Sequence, residues 1–160
     1  MQKPLKIDFL YLDLHTCDRC MATDETLNEA LKELGSVLRT IGYEPEINKV
    51  NIIKRELAEQ YHFLSSPTIR VNGVDICGNI TENNCDCCGD LCGDSIDCRT
   101  FTYDGQVYDQ PPKAMLVDGI LRALYGQLPQ PPKTYVLPKN LDRFFTGLET
   151  KECGCSGGCC

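Results

Sequence analysis

"DLHTCDRCMATDETL", residues 13–27, sets two cysteines two residues apart where an apolar run gives way to a helical pattern. The run ahead of it, residues 6–14 ("KIDFLYLDL"), is rich in Ile, Phe, Tyr and Leu and has the length of a strand buried on both faces. Behind it, Leu27, Leu31, Leu34, Leu38 and Ile41 recur at intervals of four and three. That spacing makes one apolar stripe on a helix over 21–41, with Thr23 and Asp24 suited to the first turn and Gly42 where a helix stops. A strand, a Cys-x-x-Cys and an amphipathic helix in this order make the opening of an α/β domain.

The pattern continues outward. Residues 46–52 ("EINKVNI") alternate as a second strand, and Ile53, Leu57, Tyr61 and Leu64 mark a second helical stripe. Strand, helix, strand, helix favours a parallel pair joined by a crossover. In "SSPTIRVNGVDI", residues 65–76, Asn72-Gly73 reads as a two-residue hairpin turn, with Val71 opposite Val74 and Arg70 opposite Asp75. Residues 77–98 break the pattern with six cysteines among Gly, Asp and Asn, and read as an insertion outside the core. A second hairpin follows, turning at Asp104-Gly105. Asp109 is placed to cap a helix from Pro111-Pro112 to Tyr125, with Leu116, Ile120 and Leu124 as its stripe. The chain thus divides into an α/β domain over 1–126 carrying the insertion at 77–98, a connection at 127–148, and a tail at 149–160. The connection is proline-rich, with a short helix using Leu141, Phe144, Phe145 and Leu148. The tail, "ETKECGCSGGCC", has nothing to build a core and is expected to be flexible without a ligand.

At 160 residues, one domain is the expectation. The net charge of −7, and the lack of Lys and Arg runs interleaved with aromatics, argue against nucleic acid and anionic membrane as partners. The apolar stretch Ile7–Leu14 is interrupted by Asp8 and Asp13, so neither a signal peptide nor a membrane span is read there. Twelve cysteines in a chain without an export signal are expected to be thiols, redox couples or metal ligands, which places it in the cytoplasm.

Cys17, at a helix N-terminus, would meet unpaired backbone amides and the macrodipole, which favour a thiolate. It is the candidate attacking thiolate. Cys20, one turn on, is the candidate resolving thiol. Arg19 between them reads first as a solvated side chain and second as added positive charge; His15 reads first as packing or capping and second as tuning the thiolate. The alternative for the pair is half of a zinc site.

Strand, Cys-x-x-Cys, helix, strand, helix, Ser66-Pro67-Thr68, hairpin and late helix resemble the thioredoxin-like superfamily over about residues 5–126. The resemblance implies a three-layer α/β sandwich with a central mixed sheet, a cis Pro67 facing the cysteine pair, and thiol–disulfide exchange with a thiol or disulfide protein partner. More narrowly, "TCDRC", "SPTIRVNG", "DCRTFTYDG" and "PPKAMLVDGILRALYG" resemble a small prokaryotic thioredoxin-like family carried as a domain of unknown function, family 2703. The chain departs from ordinary thioredoxins in having no tryptophan beside the pair and in carrying the cysteine-rich insertion.

The insertion supplies Cys77, Cys85, Cys87, Cys88, Cys92 and Cys98, and the tail supplies Cys153, Cys155, Cys159 and Cys160. Thiolates select zinc, Cu(I), iron–sulfur clusters and other thiophilic ions, arsenite and mercuric ion among them. No cofactor is fixed by this pattern, because the spacing matches neither a paired Cys-x-x-Cys zinc module nor a ferredoxin run. Reduced thiols or local disulfides clamping a loop are the alternative, and six thiols allow 15 complete pairings. Fully extended, the tail would reach roughly 40 Å, enough to bring cargo or electrons to Cys17 and Cys20. Two functions are therefore carried forward. One is a dithiol protein performing thiol–disulfide exchange in the context of soft-metal handling; the other is a thiolate carrier for zinc, copper, mercury or arsenite without turnover.

Overall fold

A computed structural model describes residues 2–154. The leading strand β1 (Lys3–Tyr11) is followed by α1 (Asp18–Thr40), β2 (Tyr43–Asn51), α2 (Arg55–Tyr61), β3 (Thr68–Val71) and β4 (Val74–Asp75). The four strands form one mixed sheet in the order β2-β1-β3-β4, with β1 parallel to β2 and antiparallel to β3. An interior position explains why β1 is apolar on both faces. Leu5, Ile7 and Phe9 enter a core with Leu27, Leu31, Leu34 and Leu38 of α1, while Leu10 enters a second core on the other side. Each such side chain removed from water contributes roughly 1.5–3 kcal/mol.

The hairpin forms in the expected register, Arg70 opposite Asp75 and Val71 opposite Val74, with Asn72 and Gly73 both at positive φ as a type I′ turn requires. The second strand begins three residues before its expected start, and the helix after it keeps only seven residues. The late helix α4 (Lys113–Leu124) packs against α1 and buries Met115, Leu116 and Ile120. Its N-cap is Pro112, not Asp109. The Asp109 carboxylate instead accepts from Asn83 and pairs with Arg19 at 3.6 Å.

The largest departure from the sequence reading is residues 77–98, which are not a loop outside the core. They hold β5 (Thr81–Asn84), α3 (Asp86–Cys92) and the start of β6 (Asp97–Tyr103), and with β7 (Gln106–Tyr108) the strands make a second sheet in the order β5-β6-β7. Ile96, Cys85, Cys88, Cys92 and Cys98 are buried with Leu10, Leu12, Ile52, Ala58 and Phe63. The cysteines here act as apolar core residues, which compensates for a segment short of Leu, Ile and Val.

The helix expected beyond the proline-rich connection is longer than read. As α5 (Lys139–Gly154) it continues into residues assigned to the flexible tail, and Leu141, Phe144 and Phe145 close the second core. At Gly147 a Cβ would overlap the carbonyl oxygen and Cβ of Cys92, so only glycine lets α5 lie this close to α3. The two sheets are tied at Arg99, whose amide donates to the Ser66 carbonyl at 2.7 Å. Its fully buried guanidinium donates to both Asp75 carboxylate oxygens, at 2.8 and 3.1 Å, and to the Gly78 carbonyl. Asp75 therefore serves Arg99, while the Arg70 guanidinium donates to the carbonyls of Tyr61 and His62.

Candidate metal centre

The turn between β1 and α1 is organised by one carboxylate. Asp13 accepts the amides of His15, Thr16 and Cys17, at 3.0, 2.9 and 3.1 Å, and the Thr16 hydroxyl as well. Burial pushes the Asp13 carboxyl up, but these four donors outweigh it and hold it below the usual carboxylate range. Asp13 thus orients Cys17, the N-cap residue of α1. The sulfur itself makes no cap hydrogen bond, and the Cys17 amide is already committed to Asp13. Amides converging on Cys17 Sγ, the expected source of its acidity, are therefore not what surrounds it.

Other sulfurs surround it instead. The Sγ atoms of Cys17, Cys85, Cys88 and Cys98 all lie within 4.8 Å of one another, and all four residues are buried. Cys17 to Cys85 is 3.9 Å and Cys88 to Cys98 is 3.5 Å. A tetrahedral ion with metal–sulfur bonds of about 2.3 Å needs sulfur–sulfur edges of about 3.8 Å. The two measured edges straddle that value. A polynuclear iron–sulfur cluster spreads its thiolates over several irons and calls for a wider set; this one has the size for a single ion.

Three elements deliver the four sulfurs. Cys17 caps α1, Cys85 caps α3, Cys88 sits in the first turn of α3, and Cys98 lies on β6 next to β5. Cys85 and Cys88 form a Cys-x-x-Cys across a helix N-terminus, repeating the arrangement at Cys17 and Cys20. That spacing was legible in the sequence, but Cys87 inside the pair and Cys92 after it disguised it.

The electrostatics show a set of thiols that share protons. Hydrogen bonding from Cys20, then from Cys85, Cys88 and Cys98, pushes Cys17 far down, making it the first to lose its proton. Cys85 is raised by Cys17, yet hydrogen bonds from Cys88 and Cys98 and the Cys88 amide prevail and leave it at about 7. Cys88 and Cys98 are both raised, first by Cys17. A buried group of this kind gives up one proton readily and the later ones only against a bound cation, which favours metal uptake with proton release. Arg19 supplies nearby positive charge. Its side chain is not solvated as first read: 17% exposed, it donates to the carbonyls of Cys98 and Asn84, at 3.4 and 3.2 Å.

The remaining sequence candidates fall elsewhere. Cys20 is fully buried and outside the four; its Sγ meets Ser66 Oγ at 3.4 Å, and the same oxygen accepts the Leu12 amide. The Ser66–Pro67 peptide is cis, as the resemblance implies, and Ser66 brings that loop against the first cysteine pair. Cys77 is buried beside the Arg99–Asp75 pair, where burial pushes its thiol up to about 12. Cys87 is half-buried, packs against the second core and is not among the four, and Cys92 packs where α3 meets α5, its thiol directed at the carbonyls of Gly89 and Asp94. His15 is exposed, and its amide joins the Asp13 cap. Cys153 lies in the last turn of α5, with a side chain outside the described part, and Cys155, Cys159 and Cys160 lie outside the described residues. Among the described residues no helix is long and apolar enough to cross a membrane.

Searches of curated proteins and of solved structures return no match. A family model described as "Domain of unknown function (DUF2703)" matches residues 5–120, a span that takes in most of β1, both Cys-x-x-Cys pairs, Cys98 and most of α4. Since that match covers well over half of the sequence, this chain belongs to the DUF2703 family.

Proposed function

We propose that this protein binds one soft, tetrahedral metal ion, zinc foremost, through Cys17, Cys85, Cys88 and Cys98 on a thioredoxin-like scaffold. The observation that carries the reading is the mutual approach of four buried sulfurs within 4.8 Å. The scaffold is supported by the β2-β1-β3-β4 order, the cysteine pair at the start of α1 and the cis Ser66–Pro67 peptide beside it. Bound there, the ion would join α1 to α3 and β6 and supply the positive charge that four thiolates need. Zinc suits four thiolates best; arsenite takes three and would leave one buried thiol unused. A reducing compartment such as the cytoplasm suits such a site.

Thiol–disulfide exchange remains the second reading, favoured by the lowered Cys17 and by the contact between Ser66 and Cys20. Against it stands burial, since Cys17 and Cys20 are both 0% exposed and a protein disulfide cannot reach either.

Native mass spectrometry of the reduced full chain with zinc, Cu(I) and arsenite tests the first reading, together with the Co(II) absorption spectrum. We expect one zinc per chain and a cobalt spectrum of four thiolates, reduced to three in Cys98→Ser. Retention of no ion refutes the reading, as does an ion that survives Cys98→Ser unchanged but disappears on removal of residues 149–160. For the second reading, Cys17→Ser should abolish reaction with a small disulfide; equal rates remove it.

A further inference from the structure

The ligand set leaves one member of the leading Cys-x-x-Cys unused. Cys20 is fully buried and, three residues after the N-cap Cys17, lies one helical turn from a proposed ligand. It is nevertheless not among the four mutually close sulfurs, being drawn toward Ser66 Oγ at 3.4 Å. A fifth thiol in a zinc pocket is not needed for coordination. Its placement invites a different use, because the spacing of two residues at a helix N-terminus is the one that closes a disulfide in dithiol proteins.

We propose that Cys20 makes the metal centre a redox-controlled one, in which a hydroperoxide converts Cys17 and Cys20 to a disulfide and the ion is released. This rests on the metal-binding reading above. The Cys17 thiolate attacks one peroxide oxygen, breaking the O–O bond to give Cys17 sulfenic acid and hydroxide or alkoxide, which takes a proton from solvent. The Cys20 thiol then attacks the sulfenic sulfur; the S–S bond forms, the S–O bond breaks, and the hydroxyl leaves as water with the thiol proton. Two electrons pass from the two sulfurs to the peroxide. The ion loses one of four ligands, and the three that remain, Cys85, Cys88 and Cys98, all belong to the β5–α3–β6 segment. A dithiol reductant reverses the change.

Two further features suit this use. Cys20 has no ion to compete for its sulfur, unlike Cys85, Cys88 and Cys98, so it is the neighbour free to resolve the sulfenic acid. The route from solvent runs toward the pair: Cys85, 5% exposed, lines a surface cavity of about 610 Å³ with Asn84, Asp86 and Gly89, and its Sγ lies 3.9 Å from that of the fully buried Cys17, so a peroxide reaches Cys17 only when this one sulfur layer moves aside.

The test uses the zinc-loaded full chain treated with hydrogen peroxide. Release is followed with a chromogenic chelator, and the cysteines are mapped by differential alkylation and mass spectrometry. We expect one zinc released per chain with a Cys17–Cys20 disulfide, restored by dithiol reductant. Cys20→Ser and Cys20→Ala should still bind one zinc but release it about tenfold more slowly or worse, since the resolving thiol at high effective concentration is lost. Release at the wild-type rate in both variants overturns the proposal, and so does a wild-type map in which the disulfide joins Cys85 to Cys88. The map needs no variant, so misfolding of either does not protect the idea. A chain that takes up no zinc sinks the metal-binding reading as well, whereas zinc uptake with Cys20-independent release sinks this inference alone.

Discussion

Removing the ion should loosen one identifiable part of the molecule. The four sulfurs come from α1, from α3 and from β6, and two of the sulfur–sulfur edges, Cys17–Cys85 at 3.9 Å and Cys88–Cys98 at 3.5 Å, already lie close to a tetrahedral set. Little reorganisation opposes binding, so the affinity should appear as stability of the folded state. With free zinc at about a thousand times its dissociation constant, linkage adds about 4 kcal/mol. For a chain of this size each kcal/mol raises Tm by about 2–4 °C, so the loaded protein should melt about 8–16 °C above the chelator-stripped one. Calorimetry reads the shift, and hydrogen exchange locates it. Protection should be lost on stripping first over residues 86–92 and 97–99, while α1 beyond Leu27 and α4 keep theirs, because those helices pack in the other core. Equal melting temperatures would refute the reasoning, and so would a loss of protection spread evenly over both cores.

Two more perturbations probe the frame around the centre. Asp13→Asn should cost about 1 kcal/mol at pH 7, since an amide accepts the same donors more weakly than a carboxylate. Because the folded carboxyl is held below its ordinary value, its contribution is complete above about pH 4 and is lost as pH falls through the depressed value, so denaturation curves of the two proteins should converge in acid. Gly147→Leu should push α5 off α3, at a cost of about 1–3 kcal/mol by urea denaturation; an unchanged midpoint would mean that the contact with Cys92 is not formed.

Much of the first core was legible because its signals are local. Leu27, Leu31, Leu34 and Leu38 declare a helix face by their own spacing, and Asn72-Gly73 sets the register of Val71 against Val74 within four residues. The second core was not. Residues 81–84, "TENN", are all exposed and show no apolar alternation; they become a strand by pairing with Arg99, Cys98 and their neighbours. In "DCCGDLC", Gly89 would count against a helix, yet a Cβ there would stand 2.8 Å from the Asp94 carbonyl oxygen, so the turn that follows requires it. Cysteine adds its own ambiguity, because one side chain serves as core, ligand or nucleophile and a count of twelve does not separate them.

By itself, then, the amino-acid order determined the elements of the leading α/β unit and which residues carry sulfur, since helix stripes, caps and two-residue turns are set by near neighbours. Only the tertiary structure decided which sulfurs meet. Cys17 joins Cys85, Cys88 and Cys98 across 68 or more positions, while Cys20, three positions away, stays outside that set of four. A tetrahedral site demands four atoms within a few ångströms, and that proximity comes from packing α3 and β6 onto the end of α1, an outcome no spacing along the chain encodes.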